Sequence, residues 1–451
     1  MQEPNFLLDA LIDEAGMSHD GLAARVNRRG ARLGLTLLYD HASVRRWIRD
    51  RTVPRGRVPE LICEVLSERV GRSLCLADIG MGQGAGHLPD ETSLPQTMDH
   101  ATALWRSDFK QVGALRYAEP LRGAAAVAPV FEWENPPDDV DVARCGGPAL
   151  DAAELRYFRV VRSRYERMYR EVGGVPVRPR VIAFLNERGA PLIRSGYDDS
   201  TGRELYRAVG GLVALAGVCA YDAGLQGIAQ RYFFQALRMA KASGDRGFGG
   251  YVVALLANQA FYLGWYRHVV QYGETALRGA RRWLTPAIVT DLNTLQAKAY
   301  ARMGDRAGCH ASMRRSEAMA VRIEAGNEFP EADYALQAGH VEVQHAEALR
   351  SLGDLTAARD YAQRATAVAE GSHVRGQVHR FATLAMILAS ERKADAAVDV
   401  AMKMLALAVG MESGRIQDRI IAVRDAVSAH ADGAVARDLS DRVQDVIGPQ
   451  Q

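Results

Sequence analysis

The sequence predicts an all-α protein, a compact basic helical domain followed by a long α-solenoid, and three observations carry that prediction. From Leu205 to about Leu407 the apolar residues recur at helical spacing, with few β-branched alternations. Five short breaks interrupt this stretch at nearly equal intervals. Near the N-terminus, a run of arginines is wrapped around a three-residue apolar stripe. At 451 residues the chain exceeds one ordinary core, so more than one domain is expected. With 48% hydrophobic and 24% charged residues, the composition is that of a globular chain.

In the segment Ser43 to Arg55, Val44, Trp47 and Ile48 stand at i, i+3 and i+4, so they share one helix face. Ser43, Arg45, Arg46 and Arg49 are then expected to point outward. Asp40 is placed to cap the first turn, and Pro54 should end the helix near Thr52. Upstream, Ser18 caps a supporting helix with Leu22 and Val26 facing inward. Downstream, Pro59 to Leu66 reads as a third amphipathic helix, and the three can close a small core around Trp47. The residues Arg28 to Leu38 between the first two helices read either as an extra turn or as a basic arm.

The Leu22-Ala23 pair, the Val44-Arg45-Arg46-Trp47 run, Pro54 and the stretch Leu61 to Leu66 resemble the Xre/Cro-type helix-turn-helix family. That resemblance implies that residues 1–80 form a DNA-binding domain. Charge points the same way. Ser18 to Arg72 holds twelve arginines against six acids, a net +6, whereas the whole chain is only +2. A local positive field is the footprint expected of a nucleic-acid contact. His41, Ser43, Arg45, Arg46 and Arg49 are the expected base-facing set, with Arg51, Arg55 and Arg57 against phosphate.

Residues 81–150 read as a linker and connecting helical segment. Gly80 to Gly86, followed by Pro89 and Pro95, reads as a hinge, because no strand precedes it and no Lys-Ser/Thr follows as a phosphate loop would need. Leu104 to Asp108 is helical, Phe131 to Trp133 an aromatic plug, and Asn135 to Asp139 a surface loop. Glu154 to Val172 carries Leu155, Phe158, Val161, Tyr165, Met168 and Tyr169 on one side and opens the repeat region, 151–411. Thr201 and Glu204 are spaced as a capping box before its long apolar stretch.

The five breaks centre on residues 224, 264, 304, 353 and 393, at intervals of 40, 40, 49 and 40. Such spacing predicts stacked helical hairpins. Seven residues before the breaks stand Gly217, Ala257, Ala297, Ala346 and Met386; five after them stand Ala229, Val269, Cys309, Ala358 and Val398. Twelve after come Ala236, Ala276, Ser316, Ala365 and Leu405. Small residues at these places let helices approach closely, Leu405 being the exception, so the pattern is specific in the first four repeats and weak in the fifth. The pattern resembles tetratricopeptide repeats, although the period of 40 exceeds that family's 34. Residues 412–451 read as a capping pair, with Ile416, Ile420, Val423 and Val427 on one stripe and Val435, Leu439, Val443 and Val446 on the other. The tetratricopeptide resemblance implies a groove lined by the first helix of each hairpin. Counting from the small residues puts Tyr251, Asn258, Phe261, Tyr262, Asp291, Lys298, His340, Glu347 and Arg350 toward it.

The order of parts, with Leu104-Trp105-Arg106-Ser107-Asp108, Tyr221-Asp222-Ala223-Gly224 and Ala229-Gln230-Arg231-Tyr232-Phe233, resembles actinobacterial regulators of the NsdA type, which join a helix-turn-helix to tetratricopeptide repeats. The resemblance implies transcriptional control of differentiation or secondary metabolism. Duplex DNA, a second copy of the chain in a homodimer, and a peptide or small-molecule effector are the expected partners. No G-x-S-x-G, H-E-x-x-H, Walker pattern or Cys/His ligand spacing is present, so no enzyme, cofactor or metal is expected. The five scattered cysteines, the acidic N-terminus and the uncharged apolar run Ala208 to Tyr221, which at fourteen residues falls short of a bilayer span, predict a cytoplasmic protein with no membrane span. The alternative function is a non-enzymatic adaptor whose solenoid binds protein partners, with DNA contact secondary.

Overall fold

The computed structural model describes residues 4–70, 74, 76, 78–81, 94–110, 118–135, 139–145, 150–324, 326, 328–368, 374–430 and 433–447. It is all-α; among the described residues the only β feature is an isolated bridge between Arg144 and Tyr197. The chain divides into two compact units, Met1–Leu121 with Ile182–Ser195, and Arg122–Val181 with Gly196–Gln451.

The first unit is built on α1 (Phe6–Glu14), α2 (His19–Arg32), α3 (His41–Arg49) and α4 (Val58–Val70). Ser18 caps α2 through the Gly21 amide at 3.1 Å, and Leu22 and Val26 are fully buried, as their spacing requires. Val44, Trp47 and Ile48 of α3 join the same core, the Tyr39 ring standing edge-on to Trp47 at 4.9 Å. The sequence reading did not anticipate α1, whose Leu8, Leu11 and Ile12 complete this core. Asn5 caps it and also donates to the Ile79 carbonyl at 2.8 Å, so the segment after α4 folds back over the core. α5 (Leu94–Phe109) packs on α1, with Arg106 on Glu14 at 2.7 Å and Lys110 on Asp13 at 2.9 Å. Asp13 and Glu14 thus face cations of their own unit. The Gly-rich stretch 82–86, Pro89, Arg72 and Cys75 lie outside the described residues.

Two local expectations are corrected here. α3 stops at Arg49 rather than near Thr52, because Asp50 leaves helical geometry and Arg51 turns left-handed at φ 50°. The segment from Arg28 begins as helix, α2 continuing to Arg32, and its remainder is a return that passes over Gly30, where a Cβ would come within 2.4 Å of Leu37. Asn27 holds that return by exchanging two hydrogen bonds with the Tyr39 backbone, at 2.8 and 3.0 Å. Arg29 pairs with Glu64 and Glu68 of α4.

In the second unit, α6 (Ala124–Glu134) and α7 (Ala152–Val172) precede the array. A helical passage follows: α8 (Gly174–Phe184), a π turn (Leu185–Gly189) and α9 (Ala190–Ile193), the last two in the first unit. The array is five hairpins: α10 (Asp199–Asp222) with α11 (Gln226–Ser243), α12 (Arg246–Tyr262) with α13 (Tyr266–Gly279), and α14 (Pro286–Arg302) with α15 (Arg306–Ala320). α16 (His340–Leu352) with α17 (Leu355–Thr366) and α18 (Val374–Ser390) with α19 (Ala394–Ala408) complete it. Neighbouring hairpins pack side by side, which is solenoid-like packing. α20 (Gly414–Ser428) and α21 (Gly433–Ile447) follow. Ile416, Ile420, Val423, Val427, Leu439 and Val443 are buried in their packing; the Val435 side chain is outside the described residues.

The first four breaks place a glycine left-handed, Gly224, Gly264, Gly304 and Gly353. In the fifth that position is taken by Arg392 at φ 59°, one residue before the break read from sequence. The register therefore shifts by one, and the small buried residues of this hairpin are Ala385 and Ala397, not Met386 and Val398. The expected capping box is not formed. Asp198 caps α10 through the Thr201 amide at 2.7 Å, and Glu204 pairs with Arg159. α10 is long and apolar enough to cross a bilayer by length and composition, yet 83% of its apolar window is buried inside the protein. Trp133 is buried as a plug, but on helix α6, while Phe131 is exposed. Cys63, Cys219 and Cys309 are buried, and Cys145 is exposed.

Candidate nucleic-acid interface and ligand cavity

α3 presents two chemically distinct faces. Its inner face is Val44, Trp47 and Ile48; Arg45, Arg46 and Arg49 are exposed on the outer one, with His41 at its start. Arg55 and Arg57 are exposed in the following turn, and Arg51 is half-buried. The nearest acid to Arg49 is its neighbour Asp50, at 3.9 Å. Ser43 is a correction: it is 6% exposed, and its hydroxyl donates to Asp40 Oδ1 at 2.7 Å while its amide donates to the same atom at 2.8 Å. These bonds hold the Asp40 carboxyl below its ordinary pKa, the Ser43 hydroxyl contributing most. Ser43 therefore builds the helix start and is not part of the outward face. Arg25, Arg28 and Arg32 of α2 are exposed as well.

In the second unit the first helices of all five hairpins line one cavity of about 310 Å³. It takes in Tyr251, Asn258, Phe261, Asp291, Lys298, His340 and Glu347 of the residues expected in the groove. Tyr262 lies outside the lining: it is 38% exposed, bonds Asp418 at 2.8 Å and packs edge-on to Tyr221. Arg350 is outside the lining as well, although it stands three residues after Glu347 and seven after Val343, on their face of α16.

The cavity is closed by elements whose contribution the repeat count did not foresee. α7 supplies Glu166, Tyr169 and Arg170, and α20 supplies Arg415 and Arg419. The long interval of 49 residues holds a 3-10 helix, Pro330–Leu336, that brings Glu331 and Tyr334 into the lining. Phe329 seats against Gly247, where a Cβ would come within 2.3 Å of its ring. Glu331 then lies between Arg162 at 3.6 Å and Arg207 at 2.9 Å, cations that hold its carboxyl down at about 2 against the opposing effect of burial. Lys298 is 3.4 Å from Glu347 and over the Phe261 ring at 4.6 Å. Burial, then the charge of Arg419, brings its ammonium down to about 7.

Residues 8–82 match the SP15 N-terminal domain family. The matched stretch holds the apolar cluster of the first unit that runs from Leu8 of α1 to Met81 of the folded-back segment. It ends before the hairpin array begins, so the likeness to SP15 N-terminal domains concerns the first unit alone. No curated protein matches the chain. Among the described residues no group of His, Cys, Asp and Glu is arranged to hold a metal ion.

Proposed function

We propose that this protein is a DNA-binding transcriptional regulator, its first unit a helix-turn-helix reader and its array a tetratricopeptide-like sensor and dimerisation module. One observation carries the reading: the guanidinium groups of Arg45, Arg46 and Arg49 stand outward from a helix whose opposite face is anchored in the core through Trp47. Arginine in this setting offers bidentate geometry to guanine edges and to phosphate. Arg51, Arg55 and Arg57 are assigned to phosphate, which positions the reader without choosing a sequence. A single small reader has modest specificity, so a homodimer on paired half-sites about one helical turn apart is the expected arrangement.

The cavity supports the sensing role. It lies at the lower end of the roughly 300 to 1,000 Å³ that small-molecule sites occupy, which favours a small effector over an extended peptide. Such an effector shifts DNA binding only if it interacts differently with two states of the protein. The resemblance to NsdA-type regulators supports differentiation or secondary metabolism as the regulated processes and a cytoplasmic location.

Titration of the full-length protein onto labelled genomic duplexes at several salt concentrations tests the reading. A reader should lose about 0.9 log units of affinity per log unit of salt for each phosphate it neutralises. Weak association that ignores salt would overturn it and favour an adaptor whose array binds protein partners.

A further inference from the structure

Basic side chains are gathered at one corner of the cavity. Lys298 of α14, His379 of α18, and Arg415 and Arg419 of α20 all line it. Two of them share one carboxylate, Glu347, which Lys298 approaches at 3.4 Å and Arg419 also engages. Lys298 and His379 feel neighbouring cations as like charges. Lys298 is pushed down by burial and then by Arg419, and His379 falls well below its ordinary value by burial and then by Arg375, Arg415 and Lys298. Arg415 stacks over Tyr262 at 3.7 Å and reaches Asp418, an exposed acid, only at 3.9 Å.

The remaining acids of the lining have partners of their own, although the Asp291 charge also acts on Lys298. Glu331 lies between Arg162 and Arg207, Glu166 is held by Arg162 and Arg170, and Asp291 accepts from Tyr334 and lies 3.2 Å from His340 Nε2. The corner is therefore short of negative charge, and like charges brought together in a partly desolvated site are relieved by an anion. Leu215, Leu255 and Leu295 give the same cavity an apolar wall.

We infer that the cavity binds a small organic anion with an apolar body, its acidic group seated among Lys298, His379, Arg415 and Arg419 and its carbon skeleton against the leucine wall. This names the ligand class of the sensor proposed above and rests on reading the array as one. A charged group and an uncharged body of the same shape separate the two contributions.

Anilinonaphthalene sulfonate and its uncharged relative phenylnaphthylamine are the probes, titrated by fluorescence onto the full-length protein. The sulfonate should saturate one site per chain and bind about tenfold or more tighter than the neutral probe, as a charge-assisted contact requires. Lys298→Met and Arg415→Gln should each weaken the sulfonate about tenfold and leave the neutral probe unchanged. Circular dichroism confirms that a variant is folded, and Arg415, which holds no buried carboxylate, is the variant on which the proposal stands if Lys298→Met unfolds. Equal binding of the two probes, or sulfonate binding untouched by Arg415→Gln, overturns the inference. DNA affinity measured with and without the sulfonate is a separate axis. Tight, variant-sensitive sulfonate binding that leaves DNA affinity unchanged supports the anion site and sinks the sensing role.

Discussion

Tyr334 donates its hydroxyl to Asp291 Oδ2 at 2.6 Å, tying the 3-10 helix of the long interval to the first helix of the third hairpin. Asp291 is 5% exposed, and its other oxygen faces His340 Nε2 at 3.2 Å. Burial, followed by the Asp291 charge, raises the Tyr334 hydroxyl well above its ordinary pKa, so it remains a donor across the working range. Tyr334→Phe should leave a buried carboxylate oxygen unpaired, at a cost of about 1 to 3 kcal/mol. The readout is the urea midpoint at unchanged slope, together with faster proteolysis of residues 330–336. An unmoved midpoint would mean that Phe329 and Glu331 hold this segment without the tyrosine.

Ser43 and Arg46 are three residues apart on α3 but do different things. Arg46→Ala should cost about 1 to 3 kcal/mol on the preferred duplex and flatten the preference among sequences. Ser43→Ala should keep both the preference and the salt slope, because its hydroxyl is spent on Asp40, and should loosen the start of α3 instead. Fluorescence anisotropy with preferred and scrambled duplexes decides this. A larger loss of preference in Ser43→Ala than in Arg46→Ala would refute the assignment of the two residues.

Arg392 is the only non-glycine among the five left-handed break positions. A side chain there costs about 1 to 2 kcal/mol over glycine, offset in part by the greater chain entropy that glycine gives up on folding. Arg392→Gly should therefore stabilise the protein by up to about 1 kcal/mol, seen as a higher urea midpoint. A lower midpoint would show that the arginine side chain contributes contacts worth more than the strain.

The same position explains what could be read from sequence. Helical spacing and glycine turn signals are local, so the hairpins and four of the breaks are visible in the chain itself. Where glycine gives way to Arg392, the reading slips by one residue and mistakes Met386 and Val398 for the packing positions that Ala385 and Ala397 hold. The groove residues on first helices follow from the repeat, as Asn258, Lys298 and Glu347 illustrate. Arg415, Arg419, Glu166 and Tyr334 reach the cavity from outside the hairpins, and no period links them to it. Ser43 was misplaced for a related reason. It stands one turn before Trp47 at the edge of the buried face, and the capping carboxylate of Asp40 engages its hydroxyl there.

His345 is fully buried on α16, with Nε2 2.8 Å from the hydroxyl of Ser316. That hydroxyl already donates its single proton to the Met313 carbonyl at 2.7 Å, so His345 must carry its hydrogen on Nε2 and leave Nδ1 bare. Glu317, 3.5 Å from Nδ1, favours protonation, but burial opposes it more strongly and brings the imidazole down to about 4. Unfolded, the ring titrates near 6.5. Between those values the unfolded chain takes up a proton that the folded chain refuses. Stability is therefore whole above about 6.5 and is lost as the pH falls toward 4. His345→Gln keeps an N–H for Ser316 and does not titrate, so its stability should fall less steeply than wild type over that window. Melting temperatures of both proteins at half-unit pH steps give the comparison. Parallel curves would mean that His345 takes its proton in the folded protein as readily as in the unfolded chain.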